Sequence, residues 1–305
     1  MNLVFMGTPD IAAHSLEMLI EAGHTVSAVF TKPDKPVGRK QIMTAPPVKE
    51  LAISKNIPVY QPETLRDGGA YRILKGINPE IIVVVAYGKL LPKDILDLPK
   101  HGCINAHASL LPKFRGSSPI QWSIVCGETK TGITTMYMDE GMDTGDIIET
   151  DELTIGADET AEELFERLSV MAGDLLCSTL DKIENGTATR TPQNESAATY
   201  APMIKKEMGK IDFNNPAGQV HNLVRGFYSW PAAYTFLGEK RLKVYRTELC
   251  ELSGEAGIVL RNDNTLIVGC GNGSVRLCEI QLEGGKRTTD TEFLRGNKIE
   301  IGYKF

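Results

Sequence analysis

The apolar residues of this chain keep two rhythms over its first two hundred positions. Positions 3–6, Thr25–Phe30 and Ile81–Val85 are short, near-continuous apolar or β-branched runs, the pattern of parallel strands buried on both faces. Between them, 11–22 has helical periodicity stopped by Gly23, and 47–55 opens a shorter helix after a proline. A short strand is expected at 58–60 and another at Cys103–His107. A helix over 118–126, a strand over 133–138 and a long helix over 160–183 follow. This βαβ rhythm implies a Rossmann-like α/β domain, an open and mostly parallel sheet with helices on both faces.

The rhythm stops near Thr189, where Thr, Pro, Asn, Ser and Ala dominate without period. Beyond it, 217–225 reads as a helix. Short strands are expected at 233–236, 242–246, 257–260, 266–269 and 274–280, some set off by Gly-Asn turn signals. That spacing implies a small OB-like β-barrel. The organisation expected is therefore a domain over 1–188, a linker over 189–205 and a second domain over 206–305.

Composition narrows the class. Hydrophobic content of 42% with 24% charged residues is that of a soluble globular protein, and no apolar run is long enough to span a bilayer. The first residues carry no basic start or cleavage pattern, so the cytoplasm and no membrane partner are expected. The six cysteines form no C-x-x-C pair and the five histidines no H-x-H or H-E-x-x-H group, so neither a disulfide frame nor a bound metal is expected. A net charge of −6 argues against a general nucleic-acid binder, but its distribution is uneven. Residues 206–305 carry 14 Lys+Arg against 12 Asp+Glu, and the remainder 19 against 27. Within the acidic part, Lys32, Lys35, Arg39, Lys40 and Lys49 against Asp34 form a local basic island, a solvated loop or a phosphate-backbone contact.

The richest chemistry lies in Gly102-Cys103-Ile104-Asn105-Ala106-His107-Ala108-Ser109-Leu110-Leu111-Pro112. Asn105 and His107 are two apart on a strand, so both side chains leave one face. An amide donor beside an imidazole suits attack on a carbonyl, the amide holding the oxyanion while the imidazole moves protons. Strand ends in open α/β sheets are where ligands bind. A second segment, Asp139-Glu140-Gly141-Met142-Asp143-Thr144-Gly145-Asp146, places four carboxylates among two glycines, and one of them meeting His107 would fix its tautomer. It lacks the register of an EF-hand. Gly7-Thr8-Pro9-Asp10 occupies the place of a dinucleotide fingerprint but has a single glycine, which argues against a nicotinamide or flavin cofactor.

These motifs resemble the folate-dependent formyltransferase superfamily, and within it the methionyl-tRNA branch. The likeness rests on Met6-Gly7-Thr8-Pro9, Lys32 to Arg39, Ala86-Tyr87-Gly88-Lys89-Leu90-Leu91-Pro92, Gly102 to Ile120 and Asp139 to Asp146. Lys205 to Phe213 and Arg225-Gly226-Phe227-Tyr228-Ser229-Trp230-Pro231 extend it into the second domain. The resemblance implies formyl transfer from 10-formyltetrahydrofolate, a co-substrate, to the α-amino group of initiator methionyl-tRNA by a monomeric enzyme. It implies Asn105, His107 and Asp143 as the catalytic trio and Ser109, Leu110, Leu111 and Pro112 as a folate-contacting turn. Lys32, Lys35, Arg39, Lys40 and Lys206 are implied as tRNA contacts. Ala108 and Phe114 stand where the family commonly has Gly and Trp. A glycinamide ribonucleotide formyltransferase would share the trio but resembles only the first domain. A sugar-nucleotide formyltransferase would keep both trio and tail, but the basic loop and Lys205 to Phe213 favour tRNA. A non-catalytic RNA-binding module is disfavoured by the net acidity and the intact trio.

Overall fold

The computed structural model describes every residue except Arg39. The chain forms two compact units: Met1–Pro119, Thr131–Leu153 and Phe165–Ala201 make the first, and Ile120–Lys130, Thr154–Leu164 and Pro202–Phe305 the second.

The first unit is organised on a seven-stranded sheet in the order Ile147–Thr154, Lys130–Tyr137, Cys103–His107, Ile81–Val85, Asn2–Gly7, Thr25–Phe30, Val59–Tyr60. The last five are parallel to one another, and Lys130–Tyr137 runs antiparallel to Cys103–His107. Ile81–Val85 is buried throughout, as its unbroken β-branched sequence requires. Helix Asp10–Glu21 turns Ile11, Ala12, Leu16 and Leu19 inward, the isoleucine and the two leucines contributing about 1.5–3 kcal/mol each before entropy is counted. Gly23, at φ 87°, takes the left-handed conformation that ends the helix. Strand order reverses between Asn2–Gly7 and Ile81–Val85, the kind of switch point at whose carboxyl edge open α/β sheets commonly bind ligands.

Three elements of this unit lie outside the pattern expected from the sequence. Ile147–Thr154 is a half-exposed strand interrupted by Glu149, Asp151 and Glu152, so it lacks apolar alternation. Helix Gly69–Ile77 buries only Ala70 and Leu74 and contains two glycines. The basic loop contains an antiparallel hairpin, Lys35–Val37 with Ile42–Thr44, exposed at all six positions. The aperiodic segment after Thr189 is also held down. Thr191 bridges Ile147, and Tyr200–Ala201 pairs in parallel with Arg115–Gly116. Backbone groups make those bonds, and they leave no trace in hydropathy.

The second unit is an antiparallel sheet in the order Ala233–Leu237, Lys240–Cys250, Ser274–Leu282, Ile267–Gly269, Val259–Arg261, with Thr288–Thr289 also paired to Ser274–Leu282. Among the described residues no pairing joins Ala233–Leu237 to Val259–Arg261, so hydrogen bonds do not close this sheet into the expected barrel. Helix Ala217–Gly226 covers it instead, adding Ala217, Val220 and Val224 to a core with Leu242, Val244 and Leu277. Gly226 lets residues 120–125 approach closely, since a Cβ there would lie 2.6 Å from Val125 Cγ2. Trp122 packs edge-on to Phe227 and donates to the Pro202 carbonyl at 2.8 Å.

Candidate active site

Strand Cys103–His107 lies inside the sheet, with Asn105 opposite Val84 on one side and Met136 on the other. The pleat puts Cys103, Asn105 and His107 on one face. Asn105 is 8% exposed, and its carboxamide makes no hydrogen bond to the described residues. Neither polar atom of that carboxamide is sealed from solvent, so the amide is left open to an incoming group. His107 is also buried. Its Nε2 lies 2.9 Å from the Phe114 carbonyl oxygen, which can only accept, so Nε2 carries a proton and Nδ1 is the ring nitrogen left to exchange one.

Asp143 faces that nitrogen. Its Oδ2 stands 3.8 Å from His107 Nδ1 and accepts a 2.8 Å hydrogen bond from Gly116 N–H. The ring is therefore anchored by Phe114, and the carboxylate is placed to meet the charge that forms when Nδ1 takes a proton. Asp143 adopts φ 55°, a left-handed conformation that Asp tolerates better than most residues. Of the four carboxylates in its loop, Asp139 instead accepts from Gly141 N–H and the Thr144 hydroxyl, and Asp146 pairs with Arg190 at 3.8 Å.

The turn after the strand is tied internally. Ser109 is fully buried and donates to the Lys113 carbonyl at 2.6 Å, while the Thr134 hydroxyl donates to the Ser109 carbonyl and accepts from Leu111 N–H. Leu110 and Pro112 are half-buried and Leu111 is buried. Lys32 is half-buried just beyond strand Thr25–Phe30, and burial, with Lys35 and Lys89 beside it, holds its ammonium below the usual lysine range. Lys35 and Lys40 are exposed on the hairpin and its turn, and Lys206 is exposed in the second unit. Arg39 lies outside the described residues. Lys49, counted in the basic island, is neutralised by Asp34 at 2.7 Å.

A cavity of about 550 Å³ opens beside the strand, lined among others by Leu96, Cys103, Tyr137, Met138, Asp139 and Glu140. None of the trio lines it; it lies at the amino-terminal end of the strand, with Cys103 on the face that carries Asn105 and His107. At about 3.3 Å per residue the strand spans ~13 Å from Cys103 to His107. Burial, with Asp97 nearby, pushes the Cys103 thiol up to about 12, so it lines the cavity as a neutral group. Among the described residues no group of three His, Cys, Asp or Glu side chains is disposed to hold a metal ion, and no helix is long and apolar enough to cross a membrane.

Residues 1–180 match the model of the formyl transferase family, and residues 203–298 that of the formyl transferase C-terminal domain. The chain belongs to the formyl transferase family. Relatives within it include the methionyl-tRNA formyltransferases of Thermodesulfovibrio yellowstonii, 48% identical with 99% of this chain and 97% of that protein covered, and of Alkaliphilus oremlandii, 49% identical with 99% and 98% covered. Among solved structures, the sugar 3N-formyl transferase WlaRD, crystallised in the presence of dTDP and 5-N-formyl-THF, matches with a TM-score of 0.69. Its identity is 19%, with 90% of this chain and 96% of that one covered. The methionyl-tRNA formyltransferase from Clostridium thermocellum matches with a TM-score of 0.55 at 21% identity, with 82% and 93% covered. These distant likenesses speak for the fold.

Several groups of this candidate site have no sequence signature. The Phe114 carbonyl, the Gly116 N–H and the Thr134 hydroxyl act through the backbone or through a common side chain. The cavity wall at Leu96 and Met138 reads in sequence as ordinary core.

Proposed function

We propose that this protein transfers the formyl group of 10-formyltetrahydrofolate to the α-amino group of methionine on initiator methionyl-tRNA. The observation that carries the chemistry is the convergence of three groups: a carboxamide without a protein partner and open to a ligand, an imidazole anchored through Nε2, and a carboxylate 3.8 Å from its Nδ1. Relatives of 45–49% identity over nearly the whole chain support methionyl-tRNA as the acceptor.

The neutral methionine amine attacks the formyl carbon, forming a C–N bond and placing negative charge on the formyl oxygen. Asn105 donates to that oxygen, an interaction of about 2.7–4 kcal/mol in comparable sites. His107 Nδ1 takes the amine proton and returns it to N10 of the folate as the C–N10 bond breaks. Such proton transfer contributes roughly 10²–10⁴ in rate. Asp143 faces the imidazolium while it exists. The cavity beside Cys103 receives the pterin end of the donor, and the turn Ser109 to Pro112 forms a wall near its reacting end. Lys32, Lys35, Arg39 and Lys40, with Lys206 in the second unit, contact the tRNA backbone. An acceptor used in translation supports a cytoplasmic protein.

The likeness to a sugar formyl transferase supports one competing acceptor, an amino sugar nucleotide. Offering methionyl-tRNA, an amino sugar nucleotide and glycinamide ribonucleotide in parallel, each with 10-formyltetrahydrofolate, decides between them. Transfer to methionyl-tRNA alone is expected. Transfer to either small amine with none to methionyl-tRNA overturns the proposal.

A further inference from the structure

Gln193 lies between the two stretches that match the family models and outside both. Its carboxamide is nonetheless fully used. Oε1 accepts from Arg115 Nε at 3.1 Å and from an Arg115 Nη at 2.8 Å, while Nε2 donates to the Asp143 carbonyl at 2.9 Å and the Gly145 carbonyl at 2.8 Å. An amide has two acceptor lone pairs and two N–H groups, and all four are engaged here. Arg115 is itself 1% exposed and is fixed from the other side by both carboxylate oxygens of Glu195, at 2.7 and 2.9 Å. That guanidinium holds the Glu195 carboxyl below the usual carboxylate range.

The target of these bonds is the backbone of the residue whose carboxylate faces His107. Asp143 sits at φ 55°, a conformation that persists where surrounding contacts over-determine it. The same segment also grips the opposite wall of the site. Thr199 Oγ1 accepts from Phe114 N–H at 2.9 Å, the Thr199 carbonyl accepts from Arg115 N–H at 2.9 Å, and the Ala201 carbonyl accepts from Ser117 N–H at 2.9 Å. Phe114 anchors the His107 ring, and Gly116 holds the Asp143 carboxylate. One segment therefore fixes both walls between which the proton moves, and Gln193 is its contact with the acidic wall.

We infer that Gln193 is a positioning residue for formyl transfer: its amide N–H groups hold the Asp143 loop so that the carboxylate stays opposite His107 Nδ1. This inference rests on the function proposed above. Misplacement of a reacting group by about 1 Å costs up to ~10²-fold in rate.

The test uses the full-length chain, steady-state formyl transfer to methionyl-tRNA, and the backbone amide of Gly116 followed by NMR. Gln193→Met keeps the volume and removes all four hydrogen bonds. Gln193→Glu keeps the acceptors facing Arg115 but sets carboxylate lone pairs against the Asp143 and Gly145 carbonyls. Both variants are expected to lose about 10–100-fold in kcat, with KM for both substrates within twofold. In both, the Gly116 amide should exchange faster and move upfield as its carboxylate acceptor drifts. Should Gln193→Met not fold, Gln193→Glu alone decides. A kcat within twofold of wild type in Gln193→Glu overturns the inference, because Gln193 would then serve only Arg115. An unchanged Gly116 amide overturns it also. Wild-type protein that transfers no formyl group refutes the proposed function instead, while the Gly116 readout still judges the positioning role.

Discussion

Replacing Asn105 by alanine should separate catalysis from stability. In the folded protein Asn105 is 8% exposed and its carboxamide bonds to none of the described residues. Truncation therefore forfeits no internal hydrogen bond, each of which is worth about 0.5–1.5 kcal/mol. The main chain of Asn105 stays paired with Val84 and Met136, and the His107 ring keeps its Phe114 anchor. The melting temperature should move by no more than ~2–4 °C, the shift for about 1 kcal/mol in a domain of some 150–250 residues. Activity should respond differently. An oxyanion donor acts on charge that exists only in the transition state, so its loss lowers kcat by about 10²–10³ and leaves KM nearly unchanged. The assay is single-turnover transfer from 10-formyltetrahydrofolate to methionyl-tRNA, with formylated and unformylated tRNA resolved on acid gels. A kcat within about threefold of wild type, set against the ~10² that one such donor supplies, would remove Asn105 from the chemistry. A large fall in melting temperature would show instead that the amide is a structural group.

Three further outcomes follow from the geometry. Asp143→Asn preserves size and an acceptor for Gly116 N–H but removes the charge facing His107, so kcat should fall by roughly 10²–10⁴ with tRNA affinity retained; equal losses in affinity would make the loop a binding element. Lys35→Ala with Lys40→Ala should reduce the slope of log affinity for tRNA against log salt by about 0.7–0.9 for each phosphate the hairpin no longer neutralises, and an unchanged slope returns the hairpin to a solvated role. His221 is buried, bonded at 2.9 Å to the Thr247 hydroxyl, with its other ring nitrogen 3.3 Å from the Ala157 carbonyl. Burial, with Arg225 adding to it, lowers its pKa despite Asp158 and the hydrogen bonds, so the unfolded chain binds this proton more tightly. Its contribution to stability is therefore full above the unfolded value near 6.5 and declines as pH falls below it, until the folded value is passed. Chemical denaturation at pH 7.5 and 5.5 should show that decline, and His221→Gln should flatten it.

Much of this protein is legible along the chain because much of it is local. The unbroken β-branched stretch Ile81–Val85 reads as a strand buried on both faces, and a two-residue spacing on a strand commits Asn105 and His107 to one side before any partner is known. The family motifs name Asp143, but nothing local distinguishes it from Asp139, Glu140 or Asp146. Tertiary structure makes that choice, because only Asp143 is turned by a left-handed backbone onto Gly116 N–H and toward His107. It also assigns Ile120–Lys130 and Thr154–Leu164 to the second compact unit, and it sets Gln193, from an aperiodic tract, against the Asp143 carbonyl. The division has one physical cause. Side-chain hydropathy repeats with the period of each helix or strand and so is written into the sequence, whereas backbone carbonyls and N–H groups are the same at nearly every residue. Where they do the positioning, only the folded chain says which of them meet.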